Sequence, residues 1–91
     1  MLASEFSEMK VYAVGMEFIG KVKDLVVDPV KCLLTDLVVE LDSDAAKRAF
    51  PKRFGAGKTR VRVSISLIDR IGDAIILKFS RDQLEGNVKR I

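Results

Sequence analysis

Two runs rich in β-branched and aliphatic residues, Phe18 to Asp28 and Leu33 to Leu41, flank the sequence Asp28-Pro29-Val30-Lys31. Proline fixes φ and brings no donor to a ladder, and aspartate ahead of it is a turn former, so the stretch predicts a long β-hairpin. In the first strand Val22 and Val26 fall on one face, and Ile19, Leu25 and Val27 on the other. That shift of parity near Asp24 predicts a bulge or sharp bend. The return strand alternates better: Leu33, Thr35, Leu37, Val39 and Leu41 face one way, and Leu34, Asp36, Val38 and Glu40 the other. Leu34 and Val38 are thereby expected on the wet side of the sheet.

Other elements follow from the same reasoning. Residues 1–9 read as a lead with Phe6 and Met9 tucked against the body, and Lys10 to Val14 as a short strand ended by Gly15. Asp42 or Ser43 caps a short helix over Asp44 to Phe50, with Ala46, Ala49 and Phe50 on its inner face and Pro51 stopping it. Phe54 to Gly57 is a flexible connection. Lys58 to Leu67 is the cleanest strand, with Val61, Val63, Ile65 and Leu67 on one side and Arg60, Arg62, Ser64 and Ser66 on the other. One helical turn is expected at Leu67 to Arg70, and a tight turn at Gly72-Asp73, with positive φ at Gly72, leading into the strand Ala74 to Phe79. Ser80 and Gln83 have capping-box spacing, and Leu84, Val88 and Ile91 mark the apolar side of a final helix over about residues 81–90, which Gly86-Asn87 weakens.

Ninety-one residues make one domain, here residues 1–91 with a core at about 10–79. Apolar residues are 48% and charged residues 32% of the chain, a globular balance. No apolar run approaches the ~20 residues that span a bilayer. The opening MLASEFSEMK has no basic segment followed by an apolar one, so it does not read as a signal peptide. A cytoplasmic protein without direct membrane insertion is expected. The one cysteine, Cys32, cannot form an intrachain disulfide, and with no histidine in the chain its thiol lacks the usual base; it reads as a small filler near the turn. The absence of histidine removes the commonest proton shuttle near neutral pH and the commonest metal ligand. Carboxylates and lysines remain, but no catalytic constellation is visible, so the expectation is a non-enzymatic protein without cofactor.

The stretch FIGKVKDLVVDPVKCLLTDLVVEL resembles the opening hairpin of PRC-barrel domains, through Gly20, Val22, Asp24, Asp28, Leu37 and Val39. SISLIDRIGDAIILK is similar to that family's closing element, with Gly72 and Asp73 in the turn before the last strand. LDSDAAKRAF ahead of a basic linker looks like the stand-alone archaeal type, although archaeal members often carry proline where this chain reads Ser64-Ile65-Ser66. The resemblance covers about residues 10–85. It implies a mostly β fold, a small antiparallel β-barrel with one short inserted helix and a C-terminal helix. It also implies binding rather than turnover: a dimeric adaptor, homotypic or formed with a paralogue, that contacts SepF or another division protein and is recruited to the division site at mid-cell. On physical grounds Gly20 permits close backbone approach or a bend. Asp24, Asp28 and Asp73 offer carboxylates to a divalent ion, but hydrogen bonding in bulges and turns, one of them shaped by Pro29, accounts for them more simply.

The net charge of +3 conceals a segregation. Lys47, Arg48, Lys52, Arg53, Lys58, Arg60 and Arg62 form a run of seven cations without an acid, and the other nine cations face all thirteen acids, leaving −4. Such a basic patch fits an acidic protein partner, RNA or anionic lipid. Only Phe50 and Phe54 lie near it to stack bases, so a protein partner is favoured over RNA-associated ribosome maturation. Leu34, Val38 and Ile76, expected to face outward, are the candidate self-association face.

Overall fold

The β-rich pattern folds into strands. The computed structural model describes residues 7–49 and 59–90, and its strands make one mixed sheet. In chain order these are β1 (Lys10–Tyr12), β2 (Phe18–Asp28), β3 (Leu33–Leu41), β4 (Arg60–Ser64), β5 (Ile68–Ile71), β6 (Ile75–Leu77) and β7 (Lys89–Arg90). Helix α1 (Ser43–Ala49) follows β3, and α2 (Leu84–Asn87) precedes β7. The hydrogen-bonded order is β5-β6-β1-β2-β3-β4-β7. Every pairing is antiparallel except β1 with β6, so the chain is mostly β but its sheet is not purely antiparallel.

The long hairpin has the bounds its sequence predicts. Asp28 Oδ1 accepts hydrogen bonds from the amides of Val30 (2.9 Å) and Lys31 (3.3 Å), closing the turn behind Pro29. Cys32 completes the reversal at φ 55° and is exposed, so it is a turn residue and not a packed filler. The bulge expected near Asp24 sits beside it: Val22 pairs with Val39 and Asp24 with Val38, leaving Lys23 extra. A second irregularity leaves no mark in the alternation of the sequence. Val26 pairs with Asp36 but Val27 with Leu34, which leaves Thr35 extra on β3, its hydroxyl donating to the carbonyl of Val26 at 3.3 Å. Beyond that point parity inverts. Leu33 turns out to solvent at 58% exposure, and Leu34 turns in to pack against the core.

One cluster fills the interior. Val11, Ile19, Val22, Leu37, Val39, Val61, Val63, Ile75 and Leu77 supply it from five strands, with Ala45 of α1 and Leu84 of α2. A seven-residue helix and a four-residue helix are too small to cover a flat sheet this wide. The sheet therefore coils over its own face. Coiling is visible directly in the groove that Leu34 and Leu37 of β3 share with Ile68 and Ile71 of β5. Those strands are four places apart in the sheet, roughly 19 Å if it were flat. Among the described residues no ladder joins the end strands β5 and β7, so the coil does not close by hydrogen bonding.

Several local expectations are corrected. The strand expected to run through Leu67 stops at Ser64, because Ser64 Oγ accepts from the amide of Ser66 (3.3 Å) and caps a 3-10 turn over Ile65–Leu67. The helical turn expected at Leu67 to Arg70 thus lies earlier, and Ile68–Ile71 is strand. Gly72 does not take positive φ; the 72–74 reversal closes with the Gly72 amide donating to the carbonyl of Ala74 at 3.0 Å. In α1 Ala45 is fully buried and Ala46 is half-buried, while the side chain of Ala49 and all of Phe50 lie outside the described residues. The capping box forms, with the Ser80 amide donating to Gln83 Oε1 at 3.0 Å, but the helix ends at Asn87. Glycine and asparagine are poor helix formers, and after them the chain turns extended at Val88, so that Lys89–Arg90 pair as β7 with β4.

Candidate interaction surface

The outer face of β2–β3–β4 is a lattice of charge around two valines, Val38 and Val26, the latter opposite Asp36. Register sets Lys21, Glu40 and Arg60 in one row and Asp24, Val38, Arg62 and Lys89 in the next, with Asp36 beside Ser64 in the third. Arg62 Nη2 donates to Asp36 Oδ2 at 2.9 Å, and Arg60 Nε lies 3.5 Å from Glu40 Oε1. Desolvation pushes the Asp36 carboxyl up. Hydrogen bonds from Arg62 and Thr35, with the attraction of Arg62 and Lys89, outweigh it and hold that carboxyl below the usual carboxylate range. A depressed folded-state pKa adds stability above the unfolded value of about 4 and loses it as pH falls through the folded value. Asp36→Asn is expected to remove about 0.5–1 kcal/mol near pH 7 and almost nothing at acid pH, read from urea midpoints across pH 2–7. Equal losses at both ends would show that the pair's charge is irrelevant.

The strand portion of the basic run is therefore interleaved with acid in space. Arg60 and Arg62 meet carboxylates contributed by β3, and Lys47 sits exposed on α1 with an interaction of its own. Lys52, Arg53 and Lys58 lie outside the described residues, as does the side chain of Arg48.

The expected self-association face does not assemble. Leu34 points inward because of the Thr35 bulge. Val38 lies on the outer face, but only 9% of it is exposed within the charged lattice. Ile76 of β6 is on the outer face three strands from Val38, roughly 14 Å away along the sheet. The turn residues behave as their chemistry suggests. Asp24 Oδ1 accepts from the amide of Leu25 (2.8 Å), Asp28 caps its turn, and Asp73 is exposed in the 72–74 reversal. Among the described residues no group of three or more histidines, cysteines or carboxylates is placed to hold a metal ion. Nor is any helix among them long and apolar enough to cross a membrane.

What the fold does gather is an apolar seam along β5. On one side runs the groove of about 410 Å³, lined by Leu34, Leu37, Ile65, Ile68 and Ile71 with the charged Asp69 and Arg70. On the other is a smaller depression of about 320 Å³ bounded by Met16, Arg70, Gly72, Asp73, Ala74 and Ile76. A bulge at Asp69 shapes the seam. Ile68 pairs with Leu77 and Ile71 with Ile75, so both isoleucines take the side of the buried residues opposite them, while Arg70 opposite Ile76 takes the other. Ile71 remains 42% exposed, Ile65 39% and Met16 63%. Sequence alternation gave no sign of the seam, because the bulges at Thr35 and Asp69 create it. No protein-family model matches this chain, and no curated protein matches it.

Proposed function

We propose that this chain is a PRC-barrel-type interaction module, non-enzymatic, that acts as a dimer to link components of a cell-division assembly, SepF in particular. Two things support the reading. The sequence resemblance runs through the hairpin at Gly20, Val22, Asp24 and Asp28 and the closing turn at Gly72-Asp73, and one mostly β sheet coils about one core. The observation that carries the adaptor part is the apolar seam beside the end strand β5. An open strand edge flanked by exposed isoleucines is a surface that proteins cover, and another polypeptide does so naturally. Docking would be rigid, with charge setting orientation and rate of encounter. Recruitment to the division site would follow from the partner.

Titration of the purified chain with SepF from its own source, followed by calorimetry, is expected to give a saturable complex. A chain that ignores SepF but binds RNA, with salt-sensitive affinity abolished by Arg60→Glu with Arg62→Glu, would replace this reading with an RNA-associated role. The pairing of both arginines to carboxylates weighs against that outcome.

A further inference from the structure

The geometry points to the outer edge of β5 as the self-association site, occupied by β5 of a second copy running antiparallel about a twofold axis between Asp69 and Arg70. This deepens the dimeric reading above and rests on it. The order Ile68-Asp69-Arg70-Ile71 is complementary to itself when reversed. In that register Ile68 faces Ile71 of the other copy, Asp69 faces Arg70, and each relation recurs across the axis, as an isologous contact requires. Opposite charges across a strand pair attract, and like charges directly opposite one another repel.

Three further observations favour a second copy over other occupants. Asp69 and Arg70 are exposed, and among the described residues neither has an intrachain ion pair, unlike Arg60 and Arg62. Their charges are thus available to a partner that carries the same two in reverse order. Ile68 and Ile71 both take the groove side, so the two copies would extend one apolar surface instead of burying an isoleucine against a charge. Finally, β5 lies at the end of the sheet, where added backbone meets groups that no described strand pairs.

A charge swap tests this without touching the core. Light scattering on the wild-type chain is expected to give twice the monomer's 10.1 kDa. Asp69→Arg and Arg70→Asp, each alone, place like charges opposite one another twice per dimer and are expected to give monomers. The double variant Asp69→Arg with Arg70→Asp restores complementarity and is expected to return the dimer. Circular dichroism of each variant checks that the fold is kept. A dimer indifferent to the single reversals would put self-association elsewhere and overturn the assignment while leaving the adaptor reading intact. A double variant that stays monomeric, or a monomeric wild type, would also overturn it, whereas the adaptor reading fails separately if SepF does not bind.

Discussion

Gly20→Ala is expected to cost about 3 kcal/mol or more, a large share of the stability of a domain this small. A methyl group built on Gly20 would sit 2.1 Å from the carbonyl oxygen of Glu40 and 3.0 Å from the Glu40 carbonyl carbon and Leu41 Cα. All three are backbone atoms, so no side chain can swing aside. Nor can β2 retreat, because Gly20 is paired with Leu41 on one side and with Val11 on the other. Relief requires prying apart the centre of the sheet. Urea unfolding followed by far-UV dichroism should show the midpoint fall with an unchanged slope. A loss below about 1 kcal/mol would mean that the strands do not approach as closely as described.

Leu84→Ala should have a comparable effect, about 3 kcal/mol. Leu84 is 1% exposed and belongs to the central cluster, although it lies in a helix of only four residues near the end of the chain. Truncation leaves a cavity and also loosens the anchor from which the chain continues to Val88, half-buried against the core, and to β7. Glu85→Ala, on an exposed neighbour in the same helix, is the control and should fall within about 0.5 kcal/mol of wild type. Equal behaviour of the two variants would show that this terminal segment is an appendage and not part of the core.

The sequence made the strands legible wherever period-two alternation was left undisturbed. Both arms of the hairpin have the predicted bounds, and Val61 and Val63 are buried as their spacing requires. Parity also exposed the bulge beside Asp24, since Val22 and Leu25 can both face inward only if one residue is extra. Thr35 and Asp69 gave no such warning. Leu33 and Leu34 stand side by side ahead of Thr35, so either parity reads as plausible, and β5 is too short for an interruption to register. Those two bulges turn Leu34, Ile68 and Ile71 toward a common groove, which is why the candidate site could not be read from periodicity. Ser64 ended a strand whose alternation continued through Leu67, because a side-chain cap competes with the ladder at a cost that pattern does not reveal. The basic run was real as sequence. Its strand portion nonetheless faces Asp36 and Glu40, which only cross-strand register brings near.

Amide hydrogen exchange, recorded for the wild-type chain at a series of protein concentrations, probes the proposed interaction surface itself. The amides of Ile68–Ile71 should gain protection as concentration rises, while those of the Asp28–Cys32 turn and the outer face of β3 stay unchanged. Protection that grows at the hairpin tip or on the β3–β4 face, with β5 unaffected, would contradict the assignment of the β5 seam as the surface through which this protein meets its partners.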